Sequence, residues 1–203
     1  MDKILLIGAG GHARSCIDVI ELQNKYKILG LVDKDKNNSD ENSSYSIVGT
    51  DMDLKRLREE CDKALIAIGQ IKSPINRIKL YEKLKKLNFY LPPIVSPKAY
   101  ISKRAEVGEG TIVMHGSVIN ANAKVGKNCI VNNKTLIEHD VNVGDNCHIA
   151  TGAIINGNVS IGSGTFIGSG SVIIQDISIG NNCVVGSGLI VKNNILSNQL
   201  VKK

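Results

Sequence analysis

Glu138-His139-Asp140 is the stretch of this chain best supplied for proton transfer, an imidazole between two carboxylates. A neutral ring can take a proton near pH 7, and a neighbouring carboxylate holds the ring and supports the imidazolium. As chemistry, His139 is a general base oriented by Asp140; as packing, it is a solvated corner histidine. Eighteen residues further on stands Gly157, in Asn156-Gly157-Asn158. A backbone amide there, with no side chain in the way, could hold a developing oxyanion. The other chemically suggestive set is Gly8-x-Gly10-x-x-Ala13, with Asp33 downstream. That spacing matches a dinucleotide fingerprint: glycines admit a phosphate to a helix N-terminus and the acid bonds a ribose hydroxyl. His12 lies in the same turn and could donate to a phosphate, or be an ordinary loop histidine.

The element that must position His139 is a repeat. From Val95, every sixth residue as far as Val191 is Ile or Val, seventeen positions in all. Four residues after each stands something small or aliphatic, as at Ala99, Ala123, Cys129 and Ala153. A period of six fits neither a helix nor a plain alternating strand, so repeat architecture comes first. Each hexad forms one short strand with its β-branched residue inward, and three hexads close one triangular coil, a parallel β-helix. Residues eighteen apart then stack, and Cys129, Cys147, Thr165 and Cys183 form an inward column. On this geometry Gly157 lies one coil from His139. His148, half a coil away, lies on the opposite side of the prism, so the two histidines converge only across a subunit boundary. His115 shares the hexad position of His139 but has no carboxylate neighbour. A zinc site from His139, Cys147 and His148 is disfavoured because Cys147 points inward, and no metal is expected.

Residues 1–93 read differently. Lys3 to Ile7, Ile28 to Val32 and Ala64 to Ile68 are apolar runs of strand length. Ala13 to Gln23, Asp51 to Cys61 and the segment after Pro74 carry helical spacing. Asn37 to Ser46 is a polar surface loop. Alternating strands and helices imply a small parallel sheet, half of a doubly wound fold, with room for a single nucleotide. The expected division is a small α/β nucleotide-sugar-binding domain, 1–93, and a β-helix, 94–203.

Composition narrows the setting. Aromatics are 3% of the chain and Trp is absent, which suits a narrow prism filled by Ile and Val. The net charge of +6 is spread among acids rather than clustered, pointing to anionic small ligands and away from nucleic acid. Five cysteines without metal-like pairing read as reduced core residues of a cytoplasmic protein. No apolar run approaches a membrane span.

The hexapeptide run behind Gly8-Ala9-Gly10-Gly11-His12, with Ile137-Glu138-His139-Asp140, resembles the sugar acetyltransferases of the sialic acid O-acetyltransferase group. Within it, the chain looks most like the UDP-4-amino-sugar N-acetyltransferases of bacillosamine synthesis and the perosamine N-acetyltransferases. The resemblance implies a left-handed β-helix, a homotrimer and acetyl-CoA as cosubstrate. It places the catalytic histidine at His139 and its supporting acid at Asp140, where the family more often has Glu. It puts acetyl-CoA near His148, Gly157, Ser169 and Ser187, and the nucleotide-sugar near Gly10, Gly11, His12, Asp33, Lys34, Gly69 and Asn132. The family's Gly-x-Pro-Ala-Lys segment is absent; the stretch from Asn193 stands there instead, leaving the last coil without an obvious cap. The implied reaction is acetyl transfer to the amino group of a nucleotide-linked sugar. O-acetylation of a sugar hydroxyl, a non-catalytic nucleotide-sugar-binding scaffold and, from the glycine motif, an NAD-dependent oxidoreductase are the alternatives.

Overall fold

The computed structural model describes residues 1–34 and 44–202. Its first part is a parallel sheet of β1 (Asp2–Ile7), β2 (Tyr26–Val32), β3 (Ile47–Gly49) and β4 (Ala64–Ile66), in the order β3-β2-β1-β4. Ile4, Leu5, Leu6 and Ile7 are fully buried, as a continuous apolar run in a central strand covered on both faces must be. Leu5 and Ile7 meet α2 (Leu54–Glu60) and α3 (Ile75–Lys86) in one cluster, while Ile4 and Leu6 meet α1 (Gly11–Gln23) in another. α1 starts earlier than its apolar spacing suggests because the Gly10 carbonyl accepts from Ala13 N and Arg14 N, which makes Gly10 its cap. It ends at Asn24, in the left-handed region at φ 53°, whose N–H bonds back to Ile20 and Glu21. Gly8 is required at φ 121°, and a side chain there would strike Ile68.

Strand β3 was not expected from the sequence: it is short and follows a polar stretch, part of which, residues 37–43, lies outside the described residues. β4 ends at Ile66, two residues before the apolar run does, leaving Ile68 and Gly69 in a loop.

From β5 (Ile94–Val95) onward the chain runs in two-residue strands that close three parallel sheets of seven, six and five strands. The pairing register is eighteen: Ile130 pairs with His148, Leu136 with Ile154, Asn142 with Ser160. The inner residues form one core, from Val113 and Ile119 through Cys147 and Ile155 to Cys183 and Val191. The fold is the left-handed parallel β-helix of hexapeptide-repeat proteins.

Corners repeat as strictly as strands. Asn122, Asn128, Lys134, Asp140, Asn146, Asn158, Asp176 and Asn182 all have φ between 53° and 63°, and glycines take the intervening places of this six-residue series from Gly110 to Gly188. Asn, Asp and Gly tolerate the left-handed region best, which accounts for the composition of these corners.

The outward residues distinguish the three faces. On the first, Ile94, Ile112 and Ile130 are fully buried because the α1 side of the α/β part packs on them. On the second, Tyr100, Val118, Leu136, Ile154, Val172 and Ile190 form an apolar row, with Tyr100 59% and Ile190 64% exposed. The third is polar, with Glu106, Lys124, Asn142, Ser160 and Ser178. The stretch after Val191 does form a further coil, shortened by two residues. Ile195 bridges to Ile179 and Leu200–Val201 pair with Val184–Val185.

Candidate active site

His139 sits at the corner between the second and third faces, its side chain 63% exposed. Its Nδ1 lies 2.8 Å from Asp140 Oδ2. A carboxylate only accepts, so Nδ1 carries a proton, and in the neutral ring the lone pair is left on Nε2. Hydrogen bonds from His139 and then from Asn122 hold the Asp140 carboxyl below the usual carboxylate range. Asp is one methylene shorter than Glu, yet from the left-handed corner, at φ 61°, it reaches the ring.

The ring lies against the next coil. A Cβ on Gly157 would lie 2.7 Å from His139 Cε1 and 2.8 Å from Nε2, so only glycine leaves the imidazole its place. The two backbones are bonded there as well, Asn158 N donating to His139 O at 3.1 Å. No hydrogen bond among the described residues uses the Gly157 N–H. A proton acceptor and an unused amide donor therefore meet at one corner, the pair of groups that acyl transfer needs.

His148 is built the opposite way. It lies on the first face, 8% exposed, beneath the loop that follows β4. Its Nδ1 donates to Gln70 O at 2.5 Å, and Asn132 Nδ2 stands 3.3 Å from its Nε2. Phe166 meets it edge-on at 5.2 Å. Burial lowers its pKa to about 4, the Gln70 bond opposing and the Arg77 charge adding to the effect. His148 is neutral at pH 7, and both ring nitrogens have partners.

Arg77, on α3, is 1% exposed and has no carboxylate partner among the described residues. Its Nη1 donates to Ile66 O at 3.0 Å and Ile68 O at 2.7 Å, and its Nη2 to Asn128 O at 3.2 Å and Asn128 Oδ1 at 2.8 Å. The guanidinium thus joins the end of β4 to a prism corner. Burial lowers its pKa only to about 10, so it stays charged. It is one reason, after burial itself, that the His12 pKa is lowered to about 4. Gln70 completes the junction, its side chain donating to Asn146 O at 3.0 Å. Sequence reasoning passed over both residues, although an arginine between Ile75 and Ile78 on an otherwise lysine-rich helix was a signal.

A cavity of about 480 Å³ opens at the carboxyl edge of the sheet, lined by Gly8, Asp33, Lys34, Asp51, Gly69, Asn76 and Lys79 among others. Ligands of parallel sheets bind at this edge. Asp33 accepts from Ala9 N at 2.9 Å and Lys34 N at 2.7 Å, bracing the glycine turn as well as facing the cavity. Gly10 and Gly11 cap and open α1, and nothing stands within 4 Å of where a Gly10 side chain would be. Asp33, Lys34 and Gly69 are therefore together in the cavity, with Gly10, Gly11 and His12 at the adjoining helix start.

The residues assigned to acetyl-CoA fall on different parts of the prism. Gly157 is at the His139 corner. Ser169 and Ser187 are exposed at the corner between the first and second faces, stacked through Gly188 N to Ser169 O at 2.9 Å. Asn132 is at that same corner. Within one chain the structure does not bring His139 together with His148, Asn132, Ser169 or Ser187; the apolar second face lies between the two corners. His115, read as lacking a carboxylate, has one from elsewhere in the chain. Its Nε2 lies 2.6 Å from Asp18 Oδ2 on α1 and its Nδ1 lies 2.7 Å from Ser96 Oγ. Ser96 is 1% exposed, so this row of three is a strut between α1 and the prism and not a nucleophile site.

Residues 3–84 match the PglD N-terminal domain family, and residues 158–193 match the bacterial transferase hexapeptide family (six repeats). Among solved structures, PerB from Caulobacter crescentus, in complex with CoA and GDP-perosamine, is 30% identical with a TM-score of 0.90. The match covers 98% of this chain and 93% of that one. The acetyltransferase domain of PglB from Neisseria gonorrhoeae, in complex with acetyl coenzyme A, is 28% identical with a TM-score of 0.91, over 98% of this chain and 95% of that one. A variant of the perosamine N-acetyltransferase from Caulobacter crescentus, also with CoA and GDP-perosamine, is 29% identical with a TM-score of 0.91, over 98% and 93% of the two chains. Among curated protein sequences there is no match.

Proposed function

Because the chain belongs to the hexapeptide-repeat acetyltransferases with a PglD-type N-terminal domain, enzymes that use acetyl-CoA, we propose that it acetylates the amino group of a nucleotide-linked amino sugar, with a UDP-4-amino-sugar as the first acceptor to test. The observation that carries this reading is the corner where the His139 imidazole, oriented by Asp140, lies against Gly157. Acetyl-CoA brings the acetyl group as a thioester. His139 Nε2 takes the proton from the attacking amine, and Asp140 holds the ring at Nδ1. The Gly157 N–H bonds the carbonyl oxygen as charge gathers on it. The cavity containing Asp33, Lys34 and Gly69 takes the nucleotide, with the phosphates toward Gly10, Gly11 and His12.

The same reading includes a homotrimer. The second face is an uncovered apolar row between the two corners that carry the assigned residues. Three-fold packing through that face covers it and sets His139 of one subunit near the Asn132 and His148 corner of the next. Acetyl-CoA then lies in the groove between prisms, reaching Ser169 and Ser187 of one wall. Sedimentation of wild type and Ile154→Lys tests this: the variant is expected to run as a folded, inactive monomer.

The deciding experiment is thiol release from acetyl-CoA with UDP-linked and GDP-linked 4-amino sugars, with sialic acid, and with no acceptor. Release that requires an amino sugar supports the proposal, and the better nucleotide identifies the base. Release with sialic acid alone moves the protein to O-acetylation. Binding of acetyl-CoA with no release for any acceptor overturns the acceptor class.

A further inference from the structure

The corner that carries His139 is held from the coil before it, and the geometry points to Asn122 as a positioning residue for the base. This inference rests on the proposed role of His139 and extends it by one residue. Asn122 Nδ2 donates to Asp140 Oδ1 at 3.1 Å, while Asp140 Oδ2 accepts from His139 Nδ1 at 2.8 Å. Each carboxylate oxygen therefore has one partner, and the two partners lie on different coils. The Asp140 side chain is 50% exposed, so packing does not hold its rotamer and these two bonds do. Two residues earlier the pattern recurs, Asn120 Nδ2 donating to Glu138 Oε2 at 2.8 Å. Both carboxylates that flank His139 are thus tied to an asparagine eighteen residues before them.

Amide rungs between coils are a general device of this prism. Asn158 donates to Asp176 at 2.9 Å, Asn128 to Asn146 at 2.8 Å and Asn182 to Asn198 at 3.3 Å. Among these, the acceptor of the Asn122 rung is the one that also holds an imidazole. A rung that staples two coils elsewhere here fixes the direction of a carboxylate, and through it the ring plane and tautomer of His139. The left-handed corner explains the residue type: at φ 62° Asn costs little and still carries a donor, whereas Gly costs nothing and carries none.

That difference supplies the test. Asn122→Gly keeps the backbone conformation and removes only the amide. Its kcat is expected to fall about fivefold to tenfold, the value of one ordinary hydrogen bond at a half-exposed carboxylate, with KM for both substrates within about twofold. In an Asp140→Ala background the same change is expected to have no further effect, because the residue through which it acts is gone. The ¹⁵N spectrum of the His139 ring is expected to pass from the Nδ1-protonated tautomer to a mixture. Asn182→Gly, which removes a rung at a remote corner, should change neither quantity. Wild-type kcat with an unchanged tautomer in Asn122→Gly overturns the inference, as does an equal loss with and without Asp140. If His139→Ala is inactive while Asn122→Gly is normal, only the role of Asn122 falls. If His139→Ala keeps turnover, the base assignment falls, and the ring spectrum still decides whether Asn122 orients the pair.

Discussion

His139 and His148 lie nine residues apart on one prism, and the fold treats them in opposite ways. His139 stands at an open corner, with Asp140 on Nδ1 and nothing bonded to Nε2 among the described residues. His148 is under the α/β part, with Gln70 on Nδ1 and Asn132 at Nε2. An imidazole that must exchange protons needs one nitrogen facing solvent or substrate and a partner for the other. An imidazole that holds an interface needs both nitrogens occupied and no charge. The hexad places either kind with equal ease, since an outward residue is free of the core. What separates them is the cover, and the cover comes from Gln70, seventy-eight residues away in sequence.

The comparison breaks first at His139. His139→Ala is expected to lower kcat by about 10² to 10⁴-fold, the usual value of a general base, and to leave Tm unmoved. His148→Ala should lower Tm, because it leaves the Gln70 carbonyl without a donor in a buried junction. Equal loss of Tm in both variants would erase the distinction.

The next effect is pH. The His148 pKa is depressed from 6.5 to about 4 on folding, so the unfolded chain binds the proton first. The stability linked to this group is fully present above pH 6.5 and is lost as pH falls toward 4, by roughly 3 kcal/mol for a shift of this size. His12 has the same sign. Tm should therefore decline through this window in wild type and decline less in His148→Gln; parallel curves would show that His148 is not the linked group. The smallest effect is at Gly157. Gly157→Ala puts a methyl against the His139 ring and is expected to lower kcat about tenfold through a tilted base, with little change in Tm.

Much of the prism was legible because its period is absolute. Seventeen positions of one residue class fix the coil, and the coil fixes which corners stack. Gly157 could be placed beside His139 by adding eighteen, and Asn122 could have been found by subtracting eighteen from Asp140. The left-handed corner series, which explains why Asn, Asp and Gly recur three residues after each β-branched position, was equally available and was overlooked. The α/β part was legible as alternation but not as contacts. Arg77, Gln70 and Asp18 act on prism residues far along the chain, through pairings that no local period encodes. The separation of His139 from His148 was legible as half a coil, whereas the place of Asn132, Ser169 and Ser187 at one shared corner became visible only with the three faces side by side.

The eighteen-residue coil also makes the prism a ruler. Parallel strands lie about 4.8 Å apart, so chain length along the axis changes only in whole coils. An inserted coil would leave each neighbour contact intact. The α/β part grips fixed graduations, Ile94, Ile112, Ile130 and His148, and His139 stands at a fixed graduation among them. The distance from the cavity to His139 is thus counted in coils, and on the proposed function a relative with one coil more between grip and histidine would suit a longer acceptor.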